Sequence, residues 1–251
     1  MADKLAHDEM KKENIAGLSL AIVVDKKLVV SRACDLADVE NPAPASTATL
    51  FRTGSIAKPI TAAAAMERCQ QGMLDLNAPM QKSCPEFPKK QEAITTRELL
   101  GHLSGIRHCQ NDNSDFFSTK HYAHASDSFE IFANGSLLFK PRTRIQYSTY
   151  GHSVVGCVIE GASREEFMKA LSELVIAPAN MQSTGVDDVF EIIDGRCRPY
   201  TVNKDHSLRN ATFVGTSNKI PGGGLISTAE DLAVFLSFSN PTRSSMPKSP
   251  S

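Results

Sequence analysis

Apolar positions dominate two short runs near the start of the chain, LSLAIVV at 18–24 and LVVSRA at 28–33, separated by the polar DKK. Runs of this length around a polar break predict a β-hairpin, apolar at most positions and therefore largely buried. NPAPASTAT at 41–49 carries proline and serine and predicts a loop. The pattern then turns helical, from Ile56 to Gln71, with Gly72 as the stop. Pro59 constrains where that helix begins, because a proline deep inside a helix loses a hydrogen bond and clashes with the preceding turn. Ser55 therefore falls at or beside the N-cap. The capping spacing of Ser or Thr with Glu three residues later stands ahead of three helical stretches. Thr95 with Glu98 opens a short helix in TTRELLGHLSG, Ser163 with Glu166 precedes EFMKALSELVIAP, and Ser227 with Glu230 precedes DLAVFLSF. RPYTVNKDHSLRNATFV alternates about a polar turn and predicts a second hairpin. No internal repeat is visible at solenoid periods. The last thirteen residues, SNPTRSSMPKSPS, hold Met246 as their one large apolar side chain, so 239–251 is expected to be a disordered tail.

Composition narrows the classes of partner. A length of 251 residues, 41% hydrophobic and 22% charged, fits an ordinary globular chain of one or two domains. The formal net charge is −1 and no run of Lys or Arg stands out, so nucleic acid is not an expected partner, and small neutral substrates fit better. The longest apolar run is too short for a membrane span, and MADKLAHDEMKKENIAG lacks the apolar centre of a secretory signal. The chain is expected to stay where it is made, the cytoplasm by default. Six cysteines, Cys34, Cys69, Cys84, Cys109, Cys157 and Cys197, show no C-x-x-C pairing. Neither a zinc site nor a dense disulfide framework follows from that scatter, and reduced thiols are expected.

The chemistry concentrates in FRTGSIAKPITAAAAMERCQQGMLDL, where Ser55 stands three residues ahead of Lys58. S-x-x-K is weak alone, and the tail holds a second copy from Ser245 to Lys248. In the structural alternative Ser55 caps the helix and Lys58 is a solvated first-turn cation. Yet a cation in the first turn opposes the helix dipole, whereas the same positive end stabilises an alkoxide and lowers a buried lysine's pKa. A cap residue and one three later share a side of the first turn, so hydroxyl and amine can meet. Other candidates are poorer. His121 and His124 have H-x-x-H spacing without a third ligand, which reads as a solvated loop rather than metal. His102 in GHLSG has no G-x-S-x-G elbow to serve, so a structural role is favoured. The glycines at 222–224 lack the Lys-Ser/Thr of a phosphate loop and are expected to let backbone approach the site.

Four blocks in order carry a resemblance: TLFRTGSIAKPITAAAAMERCQQGMLDLNAPMQKSCPEFP, ITTRELLGHLSGIRH, IQYSTYGHSVVGCVIE and IPGGGLISTAEDLAVF. Over roughly residues 15–238 the chain resembles the class C β-lactamase and penicillin-binding-protein-like serine hydrolases, nearest to the mitochondrial serine β-lactamase-like proteins and their bacterial relatives. The resemblance implies an α/β fold of the α+β type, with an antiparallel sheet, a packed helical region and the active-site helix between them. It places sheet portions at 1–50 and 181–238 and a mainly helical portion at 51–180, all within one domain of 1–238. It implies a serine hydrolase acting through an acyl-enzyme on a small ester, amide or peptide, with no metal and no organic cofactor. Ser55 matches the nucleophile, Lys58 its lysine partner, and Tyr147 the tyrosine of the Y-x-N motif, where beside a cation its phenol ionises more easily and passes protons. The alternative for Tyr147 is a structural aromatic at a strand or helix start. Thr149 occupies the motif's asparagine position as a substrate-side residue, able to bond Lys58 but lacking the amide that holds a β-lactam side chain. The third motif, Lys or His then Thr or Ser then Gly, is absent, since Ser183-Thr184-Gly185 has serine first. In the family that motif lies on a central strand beyond GGGLIST and supplies an oxyanion donor. The expectation is therefore that C-terminal strands are missing, leaving an uncovered sheet edge open to self-association. The rival reading is a crippled relative serving as a binding or assembly module.

Overall fold

The computed structural model describes residues 2–110 and 114–238; the predicted tail at 239–251 lies outside the described residues. Helix α1 (Ala2–Glu13) leads into strand β1 (Gly17–Val24), which pairs antiparallel with β2 (Lys27–Asp38). The predicted hairpin forms, although none of its strand residues is buried as the apolar runs had suggested. Its turn shows why it closes: Asp25 and Lys26 both take positive φ, 48° and 63°, the twist that a tight two-residue hairpin demands. β2 runs past the predicted end at Ala33, and Ala43–Pro44 of the expected loop joins it as a short β3.

A second, smaller sheet follows along the chain. β4 (Phe51–Arg52) feeds a 3-10 turn at Gly54–Ile56 and then α2 (Ala57–Gln70). Pro59 is the third residue of α2, inside the first turn as its chemistry requires, and Gly72 follows the helix at φ 71°. Ile60, Ala64 and Ala65 of α2 are fully buried. The short α3 (Thr96–Leu100) begins with the predicted reciprocal cap: the Glu98 amide donates to Thr95 Oγ1 at 3.3 Å and the Thr95 amide to Glu98 Oε2 at 2.9 Å.

The core is organised around α4 (Thr149–Ser163), of whose residues Tyr150, Val154, Val155, Val158 and Ile159 are fully buried. A helix apolar on every side needs partners on every side; α2, α3 and α5 (Phe167–Leu171) pack against it. The 84–157 pair corrects the expectation of reduced thiols, because Cys84 and Cys157 form a disulfide that ties α4 to the segment after a 3-10 turn at Met80–Lys82. Both residues are buried and 73 apart in sequence, a pairing that spacing cannot reveal. Cys34, Cys69, Cys109 and Cys197 are free thiols.

Strands β5 (Gly185–Val186), β6 (Tyr200–Val202) and β7 (Leu208–Asn210) follow, the last two forming the predicted second hairpin. After α6 (Ile220–Gly223), β8 (Leu225–Ser227) runs buried between β4 and β5, giving the sheet order β4-β8-β5, antiparallel throughout. Helix α7 (Ala229–Phe238) packs on β1 and β2. Two predicted caps differ from the structure. Ser163 is the last residue of α4 and accepts from Arg68 Nε at 2.8 Å, leaving Glu166 to precede α5 with no side-chain cap. Ser227 is spent in β8, and Thr228 takes the cap instead, its Oγ1 accepting the Asp231 amide at 3.2 Å. In both places a neighbouring element had the prior claim on the serine.

Candidate active site

The starts of α2 and α4 and the glycine turn before β8 converge on one point. Thr53 ties the first approach to β8, with both its amide and its Oγ1 donating to the Leu225 carbonyl at 2.9 and 3.0 Å. Gly54 then takes φ 51°, a conformation that side-chain residues rarely adopt, and Ser55 follows in the 3-10 turn. Ser55 caps nothing: the N-cap of α2 is Ile56, and no side-chain cap bond is made there. Its hydroxyl is instead exposed and lies 2.5 Å from the Tyr147 hydroxyl, 92 residues away in sequence.

Lys58 is only 5% exposed, so it is no solvated surface cation. Its Nζ donates to Ser55 Oγ at 3.3 Å, Thr149 Oγ1 at 3.2 Å and the Gly222 carbonyl at 2.5 Å, and stands 4.7 Å from the centre of the Tyr147 ring. Gly222 must be glycine for this approach, since a Cβ there would sit 2.8 Å from the Thr149 side chain and 2.9 Å from its carbonyl. The structure thus brings together Ser55, Lys58, Tyr147 and Thr149, and adds the Gly222 carbonyl as a further anchor for the amine.

Burial pushes the Lys58 amine below its ordinary value, against a weaker pull upward from Tyr147. For Tyr147, burial pushes the phenol up, but hydrogen bonding to Lys58 and Ser55 and the lysine's charge outweigh it and leave the phenol below its ordinary value. The two groups are drawn toward sharing one proton, so they titrate as a pair. With the positive ends of α2 and α4 nearby, an anion on the phenol or on Ser55 is favoured.

Three histidines surround the group. His102 and Tyr147 have ring centres 4.8 Å apart, His108 and Tyr147 5.3 Å, and His102 and His152 5.1 Å. His152 is buried, and burial, His102 and Lys58 together push its imidazole down to about 3. Sequence reasoning missed His108 and His152 and gave His102 only a structural role; nothing local marks them, because their ring partners lie about 40–50 residues away in sequence.

Other candidates fall elsewhere. Ser183 and Thr184 bind the Asp231 carboxylate at 2.7 and 2.9 Å, anchoring the start of α7. His121 packs on Phe190 with ring centres 5.1 Å apart, and His124 opens a 3-10 segment at Ala125–Ile131. Among the described residues, Cys84, Glu86 and Cys157 cluster at ligand spacing, but the two sulfurs are consumed by their disulfide. No helix among the described residues is long and apolar enough to cross a membrane.

A family model described as Beta-lactamase matches residues 2–250. The chain is 28% identical to the serine beta-lactamase-like protein LACTB, mitochondrial, of Homo sapiens, over 92% of this chain and 54% of that protein. It is similar in fold to the octameric penicillin-binding protein homologue from Pyrococcus abyssi, with a TM-score of 0.79 and 22% identity over 93% of this chain and 54% of that one. It is likewise similar to D-amino acid amidase from Ochrobactrum anthropi SV3, with a TM-score of 0.79 and 23% identity over 91% of this chain and 68% of that one. The chain spans about half the length of the curated relatives it matches.

Proposed function

Because the chain belongs to the beta-lactamase family, we propose that it is a serine hydrolase working through an acyl-enzyme on an ester, amide or peptide. One observation carries this reading: a Ser55 hydroxyl that caps no helix lies 2.5 Å from Tyr147 and 3.3 Å from a buried Lys58. A structural serine would cap α2, and a structural lysine would be solvated. Tyr147 acts in its phenolate form, which the Lys58 cation favours, and takes the Ser55 proton as Oγ attacks the substrate carbonyl. The Ser55 amide lies in the 3-10 turn that leads into α2, next to the attacking Oγ, and serves as a donor to the oxyanion. Tyr147 returns the proton to the leaving amine or alcohol. A water then gives Tyr147 a proton, attacks the acyl carbon and frees the acid, and the proton goes back to Ser55. Lys58 stays positive throughout and is held in place by Thr149 and Gly222.

The test is covalent labelling with a fluorophosphonate or a fluorescent penicillin, mapped by mass spectrometry. Label on Ser55 that vanishes in Ser55→Ala supports the reading; label that persists in the variant overturns it. The binding or assembly alternative draws on Ser183 standing first in Ser183-Thr184-Gly185, and it predicts no label at all.

We also propose self-association through β1. The strand reads GLSLAIVV, yet none of its residues is buried, and among the described residues it pairs on one edge only. An unpaired apolar edge is a template for another chain. Sedimentation at increasing concentration checks this; a species that stays monomeric removes the proposal.

A further inference from the structure

Two of the histidines do more than line the site. The His102 carbonyl accepts the Gln146 amide at 2.9 Å, and its Nδ1 accepts the Ser148 amide at 3.3 Å. One residue thus grips the chain on both sides of Tyr147 while its ring lies against the phenol ring. His108 repeats the device one residue later, its Nδ1 accepting the Thr149 amide at 3.2 Å. Ser148 and Thr149 are the N-cap and first residue of α4, where backbone N–H groups need partners from outside the helix. His102 also holds φ 58°, an uncommon backbone state for a residue with a side chain. That state is maintained where the grip on Tyr147 is made.

Resting on the reading of Ser55 as an acylated nucleophile, we propose that His102 and His108 are positioning residues that keep Tyr147 and Thr149 seated on Lys58 only while both imidazoles are neutral. An imidazole that accepts at Nδ1 carries its proton on Nε2, and an imidazolium has no acceptor left. Protonating either ring breaks its bond to the start of α4 and adds a cation to a crowded positive region. His102 faces Lys58, His108, His152 and Tyr147; His108 faces Lys58, His102, Asp115, Arg107 and Tyr147. Burial first, then the Lys58 charge, push both imidazoles below their ordinary value, with Asp115 alone pulling His108 the other way. The neutral forms therefore hold through neutral pH and fail on the acid side.

The first experiment needs no variant. Nitrogen-detected NMR of the imidazoles in the parent protein at neutral pH should show His102 and His108 neutral with the proton on Nε2. An Nδ1–H tautomer or an imidazolium at either position overturns the proposal. The second follows the rate of fluorophosphonate acylation of Ser55 against pH. His102→Ala and His108→Ala should slow it on the order of ten- to a hundredfold, the cost of a small misplacement of reacting groups. His102→Asn and His108→Asn, whose Oδ1 replaces Nδ1 without titrating, should recover most of the rate. Each should also lose part of the parent's fall in rate on the acid side of the ordinary imidazole range. Alanine variants at the parental rate, or asparagine variants with an unchanged acid fall, overturn it. The third measurement is independent of acylation. The phenol titration of Tyr147, taken as the difference from Tyr147→Phe, should move up in His102→Ala and return in His102→Asn. If the parent takes no label at Ser55, the hydrolase reading fails, and the tautomers and the Tyr147 titration still decide the role of the histidines.

Discussion

Replacing Lys58 by methionine separates what the amine does for chemistry from what it does for the fold. Methionine fills the same unbranched space but supplies no donor. The Gly222 carbonyl loses its partner at 2.5 Å, and an unsatisfied buried carbonyl costs about 1–3 kcal/mol. Ser55 is exposed and can turn to water, while the Thr149 hydroxyl can rotate, so neither adds much. Against that stands relief of a buried cation, whose burial is the main cause of the lowered Lys58 value. The net change in stability at neutral pH is therefore expected to stay within about 2 kcal/mol, with no Ser55 labelling at all. The sign with pH is fixed. Between the lowered folded value and the unfolded 10.5, the unfolded chain binds the extra proton, so the parent gains stability as pH rises through that window. The variant should lack that gain. Urea unfolding of both proteins at neutral and alkaline pH reads the two quantities together. A loss above about 4 kcal/mol, as when a buried charge network is broken, would refute the reasoning, as would an equal alkaline gain in both.

Ser55→Ala should change stability by no more than about 0.5 kcal/mol, since Ser55 makes no cap bond, and a loss of about 1 kcal/mol or more in urea unfolding would restore the capping role. Removing the Cys84–Cys157 bond with a double alanine variant frees a loop spanning 73 residues and should cost about 4 kcal/mol by chemical denaturation. A loss below about 1 kcal/mol would mean that the two sulfurs are not joined. His152, held down to about 3, makes the folded state refuse a proton that the unfolded chain accepts below about 6.5. The parent should lose about 1.4 kcal/mol per pH unit through that window, and His152→Gln should lose less over the same range of acid unfolding curves.

Elements specified by near neighbours were legible along the chain. The β1–β2 hairpin needed only apolar runs and two turn residues, and Asp25 and Lys26 took the positive φ that closes it. α2 was bounded by Pro59 and Gly72, and α3 by a reciprocal cap whose partners lie three residues apart. Where two elements competed for one serine, local spacing misled: Ser163 went to the end of α4 and Ser227 to a strand. Ser55 and Lys58 could be paired on one helical turn, but Tyr147, 92 residues on, was placed by family resemblance and not by any local rule. Tertiary structure alone decided that Lys58 is buried, that the Gly222 carbonyl anchors it, that Cys84 meets Cys157, and that His102 and His108 hold the start of α4. Each of those facts depends on two distant segments packing around α4, and a short window of sequence contains only one side of such a contact. Propensity and capping act over one turn; burial, charge and long-range hydrogen bonds exist only once the core has closed.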